Sequence, residues 1–143
     1  MFGRILLSVE ASEGSRRAAE LAVSLAEREG AHLIALNVVD PSVVDRLSRL
    51  TGRRHSDVEA EAEEDGWKYL YHVEGMAVER EVRVSLRQEK GLPEDVLLRQ
   101  ARELKVDLMI LGLPGQRSGA RRLIGLSLER VLYESPCPVL VVR

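Results

Sequence analysis

The stretch "VDLMILGLPGQRSGARRLIGLS" (106–127) decides how the rest of the chain is read. Residues 106–112 are apolar apart from Asp107 and end in Gly112. A run this short and this apolar suits a strand covered on both faces. Such a strand belongs to a parallel sheet with helices above and below it. After it come a glycine- and arginine-rich turn and a segment with helical spacing, "RRLIGLSLERVLYES" (121–135), stopped by Pro136. The turn reads either as a cradle for phosphate or as the connection that any strand-to-helix passage needs.

Working outward, the same alternation repeats. "PVLVVR" (138–143) closes the chain as a strand. Upstream, "GLPED" opens a helix with Pro93 as its first residue, where a missing N–H costs nothing. Val96, Leu97, Ala101 and Leu104 form that helix's apolar side. "EVRVSLRQ" (81–88) alternates, with Val82, Val84 and Leu86 pointing one way, and reads as an edge strand with one wet face. "RILLSV" (4–9) and "HLIALNVVD" (32–40) are two more buried strands. Between them "RRAAELAVSLAEREG" (16–30) has helical periodicity, with Ser12 or Ser15 to cap it and Gly30 to stop it. Val43, Val44, Leu47 and Leu50 are spaced for a short helix, and Arg53, Arg54 and His55 make a basic turn. "SDVE" (56–59) has the form of a capping box. In the helix it opens, Gly66 and Gly75 each weaken the structure by about 1 kcal/mol relative to Ala. The acidic run 59–65 reads as a solvated face. The pattern predicts one α/β domain over residues 1–143, a five-stranded parallel sheet with helices on both faces and right-handed crossovers.

Composition narrows the function. The chain has 143 residues, 45% of them hydrophobic, enough for a single core. Its formal net charge of −2 argues against a nucleic-acid protein driven by bulk charge. Cys137 is the one cysteine, so no internal disulfide forms, and Pro136 and Pro138 beside it offer no metal-ligand pattern; it reads as a buried structural thiol in a reducing, cytoplasmic setting. No apolar run approaches the ~20 residues of a membrane span, and "MFGRILLSVE" is too short in its apolar part for a signal peptide.

In a sheet of this kind ligands sit beyond the carboxyl ends of the strands, where the strand order reverses. The turns from Glu10, Asp40 and Gly112 lie at that end. The glycines Gly112, Gly115 and Gly125 could end a strand, expose backbone N–H groups and place an anion at a helix start. Neither a P-loop nor a G-x-G-x-x-G fingerprint is present.

Taken together, "ILLSVEASEGSRRAAELA", "GLPEDVLLRQARELKVDLMILG", "GLPGQRSGARRLIG" and "SPCPVLVVR" resemble the universal stress proteins of the UspA type. The likeness covers almost the whole chain and is weakest over 43–81. It implies an α/β sandwich of the adenine nucleotide alpha hydrolase-like, Rossmann-like kind, paired as a homodimer through the last strand. One branch of that family binds ATP, with Mg2+. There the resemblance assigns nucleotide contacts to Glu10, Val38, Gly112, Gly115, Gly125 and Leu126. Two positions depart from the family pattern: Glu10 stands for an aspartate, and Leu126 for a phosphate-binding hydroxyl. Losing that charge-assisted bond costs ~1.5–3 kcal/mol. Ser127, the nearest hydroxyl, sits about 100° further around a helix. Pro114 also removes one N–H donor, while Arg117, Arg121 and Arg122 read either as phosphate contacts or as a solvated face.

Three readings follow. The chain is an ATP-binding stress-response protein; or it binds no nucleotide and serves as a dimeric interaction module, with the Trp67/Tyr71 face as one candidate contact; or it is an enzyme. His32, His55 and His72 form no nucleophile–base or ligand spacing, so at most slow ATP hydrolysis is expected.

Overall fold

The computed structural model describes residues 1–113 and 127–143. The elements run β1 (Arg4–Ser8), α1 (Glu13–Glu29), β2 (His32–Val39), α2 (Pro41–Thr51), α3 (His55–Glu79), β3 (Val84–Lys90), α4 (Pro93–Glu103), β4 (Leu108–Gly112), α5 (Leu128–Glu134) and β5 (Val139–Val142). All five strands are parallel, in the order β3-β2-β1-β4-β5. The chain winds outward from β1 through β2 and β3, then returns to the other side of β1 for β4 and β5. The order therefore reverses between β1 and β4.

The period of two along each strand sorts side chains into two cores. Ile5 and Leu7 of β1, Leu33 and Ala35 of β2 and Ile110 of β4 pack with Ala18, Ala22 and Val23 of α1 and Leu70 and Val73 of α3. Leu6, Ile34, Leu36, Met109 and Leu111 face the other way, onto Val96, Leu97 and Ala101 of α4 and Val131 of α5. Strands buried on both sides tolerate a polar side chain only where it is partnered, which is why their sequences are almost continuous apolar runs.

Helix ends follow local chemistry. The Ser12 side chain accepts from Ser15 N–H at 3.0 Å to start α1, and Gly30, at φ 65°, ends it in the left-handed region. Asp40 caps α2 through Ser42 N–H at 2.9 Å, with Pro41 behind it. Pro93 opens α4 as expected. The capping box at Ser56 is not used: α3 starts a residue earlier, at His55, with Arg54 as its N-cap and no side-chain capping bond to the backbone. Ion pairs flank this start, His55 Nε2 with Asp45 Oδ1 of α2 at 2.9 Å and, locally, Arg53 with Glu61 at 2.7 Å. The edge strand is at the edge, shifted to Val84–Lys90. The last helix covers Leu128–Glu134, and the part of its expected span before Ser127 lies outside the described residues.

Cys137 is half-buried rather than fully buried, with Ser135 Oγ 3.6 Å from its sulfur, and burial holds its thiol above the ordinary range. Among the described residues no helix is long and apolar enough to cross a membrane.

Candidate functional site

A cavity of about 260 Å3 opens at the carboxyl ends of β1 and β2. Glu10, Ala11, Val38 and Asp40 form its floor; Val43, Val44 and Leu47 of α2 close one side, and Gly66 and Tyr69 of α3 another. Helix α2 is held over it by Val44, which is buried with Val39 and Val58.

The sheet ends here in a particular way. In a parallel ladder, alternate residues turn both N–H and C=O toward the same neighbour. His32 N–H donates to Gly3 of the β1 side, whereas Leu33 N–H donates to Arg83 of the β3 side. Val38 therefore faces β1. The β1–β2 register stops at Ser8↔Leu36, with Val9 N–H on the Leu36 carbonyl at 2.8 Å as the last rung. The next rung would be Val38 N–H on the Val9 carbonyl. That carbonyl is taken by the side chain of Asn37, whose Nδ2 donates to it at 2.9 Å. Among the described residues, the Val38 N–H and carbonyl are left out of the sheet, beside the cavity.

Glu10 stands at the wall between this cavity and a second one of about 230 Å3, which lies between α1 and α3. Its backbone is locked: the N–H donates to Ser15 Oγ at 2.9 Å, and its carbonyl accepts from Ser12 N–H at 3.2 Å. Burial holds its carboxyl above the ordinary glutamate range, an effect that the Ser12 hydroxyl partly offsets. Asp40 and Asp65 also line the first cavity, while Arg16 and His72 line the second.

Gly112 ends β4 without a left-handed turn, and what requires glycine there is contact. A Cβ would stand 2.2 Å from the Gly14 carbonyl carbon and 2.4 Å from Ser15 N. Gly14 is constrained in return, since its Cβ would meet the Leu113 oxygen at 2.1 Å. The first turn of α1 thus rests directly on the end of β4, at the point where the strand order reverses.

Ser127 is the N-cap of α5. Its Oγ accepts from Arg130 N–H at 3.3 Å, and its own N–H donates to Glu94 Oε2 at 3.4 Å. Glu94, 6% exposed, was not singled out from the sequence. Gly115, Gly125 and Leu126, with Pro114, Arg117, Arg121 and Arg122, lie outside the described residues. The structure thus brings Glu10 and Val38 together and places Gly112 and Ser127 on the β4–α5 side. Asn37 also escaped sequence reasoning, although one signal was present: it is the single amide inside the apolar run of β2. Among the described residues no group of three His, Cys, Asp or Glu side chains is placed to hold a metal ion.

Comparison with known proteins gives a consistent result. The profile of the Universal stress protein family matches residues 1–143. Universal stress protein YxiE of Bacillus subtilis is 30% identical over 149 residues, covering all of both chains. Among solved structures, universal stress protein UspA from Lactobacillus plantarum superposes with a TM-score of 0.70 at 26% identity, covering 99% of this chain and 97% of that one. Two more distant structures are described as a universal stress protein in complex with cAMP (TM-score 0.69, 23% identity, 99% and 97% covered) and the universal stress protein from Archaeoglobus fulgidus in complex with dAMP (0.68, 14%, 100% and 98%). At those identities they are likenesses of fold.

Proposed function

The chain belongs to the universal stress protein family, and we propose that it is an adenine-nucleotide-binding member whose base and ribose occupy the cavity between β1, β2, α2 and α3. The observation that carries this reading is the Val38 main chain, a donor and an acceptor side by side and outside the sheet. The edge of adenine offers the complement, with N1 accepting and the N6 amino group donating. Val43, Val44 and Leu47 supply an apolar surface for the ring, and Glu10 an acceptor for a ribose hydroxyl. At about 260 Å3 the cavity falls just under the ~300–1,000 Å3 of typical small-molecule pockets, a size for base and sugar with phosphates reaching beyond it. The cAMP and dAMP complexes of fold relatives support the ligand class.

ATP with Mg2+ is the finer form of the proposal, with phosphates running toward Gly112, Gly115 and Gly125, and with Leu126 as its weak point. Calorimetric titration with AMP, and with ATP plus Mg2+, tests both forms, as does analysis of nucleotide carried through purification. Absence of binding at millimolar AMP and ATP refutes the reading. A second reading, a nucleotide-free interaction module, is favoured by Leu126, Glu10 and Pro114 in the sequence. In either case we propose a cytoplasmic homodimer paired through β5, an outer strand that carries the exposed Leu140.

A further inference from the structure

Asn37 is 7% exposed and sits in a strand of apolar side chains. A buried amide is tolerated only where its donors and acceptor find partners. Its Nδ2 donates to the Val9 carbonyl at 2.9 Å. Its Oδ1 accepts from Gln88 Nε2 of β3 at 3.2 Å, and the same Gln88 nitrogen donates to the Glu63 carbonyl of α3 at 2.9 Å. Helix α3 is pressed onto this pair: a Cβ on Gly66 would stand 2.1 Å from Asn37 Oδ1 and 2.6 Å from Gln88 Nε2. The relay therefore joins β1, β2, β3 and α3 directly under the cavity.

The direction of the relay is determined at its far end. The Glu63 carbonyl can only accept, so Gln88 must present its nitrogen. That nitrogen then requires the oxygen of Asn37, which turns the Asn37 nitrogen toward Val9. Reversed, Asn37 would set one acceptor against another.

We propose that Asn37 is a positioning residue for the ligand's base. Its carboxamide replaces the Val38 N–H on the Val9 carbonyl and so stops the β1–β2 ladder one rung short. The inference rests on the nucleotide reading for its consequence, though not for its mechanism. Without the amide, the buried Val9 carbonyl needs another donor, and the register makes Val38 N–H the nearest. Closing that rung uses the donor meant for the base and draws the strand ends together at the cavity mouth.

The test uses the full chain, Asn37→Leu, and Asn37→Ala as a second variant, with hydrogen exchange read at single amides by NMR and titration with AMP and IMP. IMP reverses both groups on the base edge, so the AMP-to-IMP preference reads the Val38 contacts and a generally loosened fold does not mimic its loss. In the native chain the Val38 amide is expected to exchange at least ~100-fold faster than the ladder amide of Leu36. In a folded variant the Val38 amide becomes protected, AMP affinity falls about tenfold or more, and the preference falls to within about twofold. A native Val38 amide as protected as Leu36, or variants that keep native affinity and preference, overturns the proposal. If the native chain binds neither nucleotide, the functional reading fails, and exchange at Val38 still decides whether Asn37 holds the rung open.

Discussion

Helix α3 carries two interior glycines, and the same substitution at each is expected to act in opposite directions. Gly75 is exposed, and a Cβ there would meet nothing within 4 Å. Gly75→Ala should stabilise the chain by the helix-propensity difference, about 0.5–1 kcal/mol. Gly66→Ala gains the same term but drives a methyl group to 2.1 Å from Asn37 Oδ1 and 2.6 Å from Gln88 Nε2. Relief requires displacing the amide pair. That forfeits two or three hydrogen bonds worth about 1 kcal/mol each and strands the buried Val9 carbonyl at about 1–3 kcal/mol. Set against the propensity gain, a net loss of about 2–5 kcal/mol remains. Urea unfolding of both variants, with a common m-value, measures the difference. Adding Asn37→Ala to Gly66→Ala removes the contact with Asn37 and leaves the one with Gln88 Nε2, so Gly66→Ala should cost less in the Asn37→Ala background than in the native chain. Stabilisation of Gly66→Ala equal to that of Gly75→Ala would refute the packing argument.

Four shorter expectations accompany it. Gly112→Ala sets a methyl group against backbone atoms of Gly14 and Ser15 that no rotamer change can clear, so a loss of about 3 kcal/mol in urea unfolding is expected. Glu10→Gln should stabilise the chain at pH 7 and not at pH 4. The raised folded pKa means that the unfolded carboxyl ionises first as pH rises, so Glu10 costs stability above that window and nothing below it; an equal effect at both pH values would contradict the burial argument. Leu126→Ser should tighten ATP binding about tenfold or more by titration, if a single phosphate contact is what leucine lacks. Leu140→Lys, on the exposed position of β5, should shift sedimentation from dimer to monomer.

Much of the fold was legible because its causes are local in sequence. Continuous apolar runs at β1, β2 and β4 follow from burial on both faces, and Ser12, Gly30 and Pro93 mark helix ends through their own chemistry. The start of α3 was not legible, because His55 is paired with Asp45 and that pair depends on where α2 lies. Of the candidate site, the turn at Glu10 was marked in the sequence by its place after a strand, whereas Val38 entered only through the family resemblance. Asn37 was passed over because an amide inside a strand has no meaning until its neighbours on β1, β3 and α3 are known. Gly112 was identified for a turn and is instead required by the approach of α1.

Periodicity and end signals along the chain were sufficient to determine a parallel α/β sheet and which of its ends the strand-to-helix turns after β1, β2 and β4 occupy, since burial on two faces and helix capping act within a few residues. The tertiary structure alone decided which glycines are steric necessities and which backbone groups stay free. Gly66 and Gly75 are identical in sequence terms and differ only in what another strand places beside them. The Val9 carbonyl next to Val38 accepts from a side chain of the same strand, and whether that side chain meets it is a matter of packing that the sequence alone does not state.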